Sequence, residues 1–109
     1  MPCGAAAEKI ENATGVTLTP VSEEPDVKST LGKVTTGNAD AGLVYVTDVT
    51  SEGDTVQGVS FPEAQEAVTN YPIAVLKDAP QADLAAEFQA LVTGEAGQKV
   101  LSDVGFGAP

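Results

Sequence analysis

The stretch from Gly37 to Asp48, GNADAGLVYVTD, decides how the rest of the chain is interpreted. Leu43, Val44 and Val46 give it the aliphatic and β-branched content of a strand, and it opens on turn residues. Tyr45 interrupts the apolar run with a hydroxyl group. A phenol at the carboxyl end of a strand either bonds to nearby backbone or points into the crevice where α/β proteins bind ligands. The residues alone leave both interpretations open, and the structural one is the commoner.

Composition and charge limit the functions open to this chain. It has 109 residues, 42% of them hydrophobic, which indicates one globular domain. With 16 acidic and 5 basic residues the net charge is -11, so we expect neither nucleic acid nor an anionic membrane as a partner. An anionic ligand would have to be held by local dipoles, because the overall field repels it. There is no histidine to serve as a general base, and the single cysteine, Cys3, excludes an internal disulfide.

The hydrophobic pattern predicts helices that alternate with strands. Helical spacing of apolar residues occurs in four segments: 3–15, 25–37, 80–94 and 95–106. Strand-like patterns occupy four others: 16–20, 41–47, 55–61 and 70–77. Asp26 is a candidate N-cap, while Gly37 and Gly94 are candidate helix ends. A short helix or turn is expected after residue 47, and a loop at 62–69. This alternation is typical of an α/β fold with a mainly parallel sheet flanked by helices.

Three places could bind an anion, and each is a weak candidate by itself. The helix that begins near Cys3 and the one that begins at Val27 each offer backbone amides without intrahelical partners. At the second of these, Asp26 can cap the amides itself, which favours a purely structural role. Tyr45 is the third place. Cys3 is a poor nucleophile candidate because no histidine is present to activate it.

The stretch GNADAGLVYVTD closely resembles the molybdate-binding proteins of bacterial ABC importers. Their usual phrase at this place is a polar turn, then Ala-Gly-(Ile/Val/Leu)-Val-Tyr, then a Thr/Ser-Asp pair. Other family phrases follow in order: PCGAAAEK resembles their Val-Pro-Ala-Gly helix start, EEPDVKSTLGKVTTG their Glu-Asn/Asp-Val-Arg helix, SFPE their Thr-Phe-Pro-Glu loop, YPIAVLK their Tyr-Pro-Val-Ala strand, and LVTGEAGQKVLSDVGF their closing helix. Order and spacing agree over essentially all 109 residues.

The resemblance implies a fold and a set of ligand contacts. Members of this family are two-lobed, hinged proteins of the type II periplasmic-binding-protein fold that close on molybdate or tungstate. They hold the oxyanion with neutral hydrogen-bond donors, without a cofactor, a metal-cation ligand or a catalytic residue. Carried to this chain, the resemblance assigns the backbone amides of Cys3 and Val27 and the hydroxyl of Tyr45 to the oxyanion. Cys3 stands where most relatives have alanine, a change that a backbone contact tolerates.

The resemblance also implies that this chain is a partial protein. Residues 1–76 correspond to the second, C-terminal lobe without its first strand, and residues 77–109 to a C-terminal helix pair that in relatives packs partly on the first lobe. The full-length protein is expected outside the cytoplasm as the partner of an ABC permease, although no signal peptide is visible here. The chain alone is expected to self-associate through exposed edges and apolar stripes. The alternative function is a ligand-sensing lobe of a transcription regulator.

Overall fold

The computed structural model describes residues 2–109, which form two compact units, one that extends to Thr69 and one from Asn70 to Pro109. The α-helices of the described chain are α1 (Pro2–Thr14), α2 (Val27–Thr35), α3 (Val46–Glu52), α4 (Ala82–Thr93) and α5 (Glu95–Asp103). Two 3-10 helices, Gly53–Thr55 and Pro62–Ala67, lie in the first unit. The four predicted helices are therefore confirmed, and the short helix or turn expected after residue 47 is a helix that begins at Val46.

Local hydrogen bonds explain where α2 begins and ends. The carboxylate of Asp26 accepts from the backbone N–H of Ser29 at 2.7 Å, which makes Asp26 the predicted N-cap. At the other end Gly37 has a φ of 75°, a left-handed conformation that costs little only without a Cβ. Beyond it, the Asn38 N–H donates to the carbonyl of Lys33 at 2.8 Å, so the helix closes with a bond across its last turn.

The first unit has little buried apolar surface. Leu31 of α2, at 7% exposure, is the one buried hydrophobic residue in the part of the chain that the structure describes. Helix α1 packs against the 3-10 helix Pro62–Ala67, in the segment for which the sequence predicts a loop. Pro62 opens that helix at a position where its missing N–H costs nothing.

The second unit is organised around α4 and α5, which pack on each other. Gly94 separates the two helices as predicted, and the side chain of Gln98 donates to the carbonyl of Val92 at 3.0 Å across the junction. The chain before α4 is attached by a bond from the Gln89 side chain to the carbonyl of Ile73, at 3.2 Å. The rings of Tyr71 and Phe106 meet edge to face with centroids 6.0 Å apart.

The predicted sheet is not formed within residues 2–109. Segments 16–20, 57–61 and 70–76 carry no regular secondary structure, and neither does 41–45. Val46 and Thr47, predicted to end a strand, instead begin α3. A helix satisfies its backbone groups within its own segment, whereas a strand needs a neighbour to bond with, and these segments make no ladder with one another. The strand predictions are therefore not confirmed by residues 2–109, in which no strand forms.

Candidate functional site

Cys3 lies in the first turn of α1 and connects that helix to the stretch 37–48. Its half-buried thiol donates to the carbonyl of Leu43 at 3.6 Å, within the range of a weak sulfur hydrogen bond. Burial, and after it the negative charge of Asp48, raises the pKa of the Cys3 thiol above its usual 9.0. The thiol is consequently neutral at physiological pH and acts as a hydrogen-bond donor, not as a nucleophile.

Val27 is the first residue of α2, so its amide belongs to the group that has no partner within the helix. The carboxylate of the cap residue Asp26 accepts from the N–H of Ser29, two positions beyond Val27. That bond is the main reason why the pKa of the exposed Asp26 carboxyl lies below its ordinary value. The start of α2 therefore already carries one negative charge beside the amide that the resemblance assigns to the ligand.

Tyr45 is the N-cap of α3 and has an extended backbone, with φ -78° and ψ 157°. Its N–H donates to the carboxylate of Asp48 at 3.0 Å, and the N–H of Asp48 donates back to the Tyr45 carbonyl at 3.1 Å. The side chain is half-buried and its hydroxyl oxygen is shielded from solvent. An anion from solution would reach this hydroxyl only after the ring turns or its neighbours move apart.

The stretch 41–45 also lies against α2. A Cβ placed on Gly42 would stand 2.9 Å from Cγ2 of Thr30 and 3.4 Å from Cγ2 of Val34, so only glycine allows this approach. The same stretch meets Cys3 through Leu43. It therefore contacts α1 and α2 on its way to Tyr45.

This arrangement brings together part of the predicted site. Cys3 contacts Leu43, two residues before Tyr45. Val27 lies one helical turn before Thr30, the residue of α2 that Gly42 approaches. The contribution of these three residues to ligand binding stays a prediction.

Sequence reasoning missed two residues of this neighbourhood, Gly42 and Asp48. The signal for Asp48 is its position three residues after Tyr45, where an acidic side chain can reach back to the N-cap amide as in a capping box. The signal for Gly42 is a glycine directly before an apolar run, which often marks a close backbone approach.

The structure offers no preformed cation site or membrane span in residues 2–109. No three His, Cys, Asp or Glu side chains of this part of the chain lie close enough to hold a metal ion. None of its helices combines the length and apolar character that crossing a bilayer requires.

Comparison with known proteins places the chain in a family. Residues 2–107 match the bacterial extracellular solute-binding protein family, and the chain belongs to that family. It is 52% identical over 109 residues to the molybdate-binding protein ModA of Mycobacterium tuberculosis and of Mycobacterium bovis, a match that covers 100% of this chain and 42% of the relative. It is 33% identical over 87 residues to the putative ABC transporter substrate-binding lipoprotein YvgL of Bacillus subtilis, covering 76% of this chain and 32% of that protein. No solved structure gives a significant match.

Proposed function

We propose that this chain is the oxyanion-binding second lobe of a molybdate-binding protein that serves an ABC importer. The observation that carries the proposal is the 52% identity, over the whole chain, to relatives named as molybdate-binding proteins. The chain spans 42% of the length of those relatives, so the activity belongs to a longer protein of which this chain would form one part. Nothing in the comparisons supports the alternative of a transcription regulator.

In this proposal the ligand is molybdate or tungstate, held by neutral donors. The amides of Cys3 and Val27 and the hydroxyl of Tyr45 donate to its oxygens from this lobe. The net charge of -11 repels a dianion, so the ligand has to be held by local dipoles. Neutral hydrogen-bond donors supply such dipoles without a buried cation. Binding without catalysis fits the absence of histidine and the neutral state of the Cys3 thiol.

The proposal includes the architecture and location of the complete protein. It would be a two-lobed type II periplasmic-binding protein outside the cytoplasm, with residues 1–76 in the second lobe and 77–109 in the C-terminal helix pair. The segments predicted as strands would pair into the mainly parallel sheet there, with neighbours that residues 2–109 do not supply. Family membership and the name of the Bacillus subtilis relative support this location and a permease partner.

Isothermal titration of the complete protein with four anions tests the function. We expect molybdate and tungstate to bind tightly, while sulfate and phosphate bind far more weakly or not at all. Equal affinity for sulfate, or no binding of molybdate, would contradict the proposal. A regulator would be recognised by a ligand-dependent change in DNA binding, for which this acidic chain offers no basic surface.

We also propose that the 109-residue chain by itself pairs with a second copy through α4. Leu84, Phe88 and Leu91 follow one another at helical spacing and are 62%, 61% and 60% exposed. In a dimer with a two-fold axis, the stripe formed by these three residues on one chain would pack against the same stripe on the second chain, which is the usual geometry of homodimers. Covering six such side chains gains about 1 to 2 kcal/mol each, which is comparable to the general cost of association, so we expect a weak dimer.

The dependence on salt tests this pairing. Because two chains of charge -11 repel each other, added salt should strengthen the dimer. Light scattering or sedimentation should show the weight-average mass rise with protein and salt concentration. Phe88→Ser should abolish the rise, while Val21→Ser, at a position 92% exposed but outside the stripe, should leave it unchanged. A monomer at all concentrations would refute the proposal.

A further inference from the structure

We infer that Asp48 is the positioning residue for Tyr45 in oxyanion binding, an inference that rests on the proposed function. Asp48 accepts from the N–H of Tyr45 at 3.0 Å and donates its own N–H to the Tyr45 carbonyl at 3.1 Å. Both backbone polar groups of Tyr45 are thereby bonded to one residue. The direction in which the Tyr45 ring leaves the backbone depends on this pair of bonds, since it fixes the peptide planes on either side of the Cα atom.

The position of Tyr45 in the fold makes such a restraint necessary. Tyr45 joins the stretch 41–45 to α3 as the N-cap of that helix, so its N–H has no backbone acceptor within the helix. Its carbonyl accepts a second bond, from Val49 at 3.2 Å, but its N–H is directed to Asp48. A bond to a charged, half-buried carboxylate is roughly twice as strong as a neutral one. Removal of this carboxylate should leave α3 largely formed and widen the range of ring orientations.

The negative charge of Asp48 repels the anionic ligand, whereas its hydrogen bond to Tyr45 favours binding by orienting the ring. Its carboxylate raises the pKa of the Cys3 thiol, so its field is felt where the resemblance places another donor to the oxyanion. An asparagine at this position can keep the acceptor oxygen and lose the charge. The two roles can therefore be separated: Asp48→Asn should bind molybdate at least as well as the natural protein, whereas Asp48→Ala should bind it more weakly.

A double-mutant cycle in the complete protein tests the inference. Molybdate affinity is measured by isothermal titration for Asp48→Ala and Asp48→Asn, each with Tyr45 and with Tyr45→Phe. We expect Asp48→Ala to weaken binding about five- to ten-fold with Tyr45 present, and by less than about two-fold in the Tyr45→Phe background, the pattern of coupled neighbours. An equal loss in both backgrounds, or no loss in either, would overturn the inference. Asp83→Ala, which removes a first-turn acid of α4, is the matched control and should change nothing.

A second measurement separates failure of this inference from failure of the proposed function. Amide hydrogen exchange of Tyr45, followed by NMR on the 109-residue chain, needs no ligand. Exchange at this amide should be faster in Asp48→Ala and nearly unchanged in Asp48→Asn. If the natural protein does not bind molybdate, the proposed function fails, and unaltered exchange in Asp48→Ala would refute the positioning role as well. If Asp48→Ala does not fold, Asp48→Glu replaces it, since it moves the carboxylate by one methylene and should show the same coupling to Tyr45.

Discussion

Replacement of Gly42 by alanine should destabilise the protein, against the usual benefit of removing a glycine. The new Cβ would stand 2.9 Å from Cγ2 of Thr30, whereas carbon atoms in contact are ordinarily about 3.5 to 4.0 Å apart. The Thr30 methyl cannot turn away easily, because the side chain is β-branched and its hydroxyl bonds to the carbonyl of Asp26 at 3.2 Å. Either the stretch 41–45 or α2 must therefore shift.

The expected change in the free energy of unfolding of Gly42→Ala is the difference between two opposing effects. Overpacking of this kind costs about 1 to 3 kcal/mol. Alanine restricts the unfolded chain and returns about 0.4 to 1 kcal/mol, because Gly42 does not occupy a positive φ. The net loss in the free energy of unfolding should be about 0.5 to 2 kcal/mol. Thr30→Ser deletes only the offending methyl, so the double variant Gly42→Ala/Thr30→Ser should recover most of that loss.

Urea denaturation followed by circular dichroism at the helical band measures these differences. Gly32→Ala is the control: this glycine lies inside α2 with nothing within 4 Å of an added Cβ, so the substitution should stabilise the protein by about 0.5 to 1 kcal/mol. If Gly42→Ala stabilises the protein like the control, or if Thr30→Ser fails to rescue it, the packing of stretch 41–45 on α2 is not as described.

Three further outcomes are expected. Tyr45→Phe in the complete protein should weaken molybdate binding by about 1 to 2 kcal/mol in a titration, the worth of one charge-assisted hydrogen bond, while Cys3→Ala should leave it unchanged because only the amide is used. Affinity should be constant from about pH 6 to 8, where reference carboxyl and phenol groups do not titrate and the pKa of the Cys3 thiol is raised further; an inflection there would reveal an unidentified ionisable ligand. Because the pKa of Asp26 is lowered in the folded chain, its carboxylate stabilises α2 fully above the ordinary carboxyl pKa, and this stabilisation is lost as the pH falls through the lowered pKa. The helical signal of the natural chain should therefore decline below about pH 4. The variant Asp26→Asn should show no such step.

The helices could be predicted from the sequence because their determinants are local. Asp26, Gly37 and Gly94 mark helix boundaries through bonds to residues within a few positions, and the structure has those boundaries. Strand patterns depend on partners far away in sequence, and residues 2–109 supply none for the segments concerned. At Val46 the β-branched residue favoured a strand, but the carboxylate of Asp48 bonds back to the preceding amide and starts a helix instead.

The candidate site was predictable only in part. The resemblance identified Cys3, Val27 and Tyr45, and the structure brings the first and last of these to the same short stretch. Gly42 and Asp48 act on that stretch through a close approach and a backbone bond. Neither property appears in composition or periodicity, because both depend on which atoms meet after folding.

The bond between Cys3 and Leu43 has a consequence for the order in which the chain folds. It joins residues 40 apart in sequence, and closing a loop of that length costs about 3 kcal/mol of chain entropy before any contact is gained. The pair α4–α5 needs no such closure, since the Gln98 side chain bonds to a carbonyl only six residues away. Local contacts of this kind form fastest. We therefore expect the C-terminal helix pair to assemble early during refolding and the neighbourhood of Tyr45 to close late.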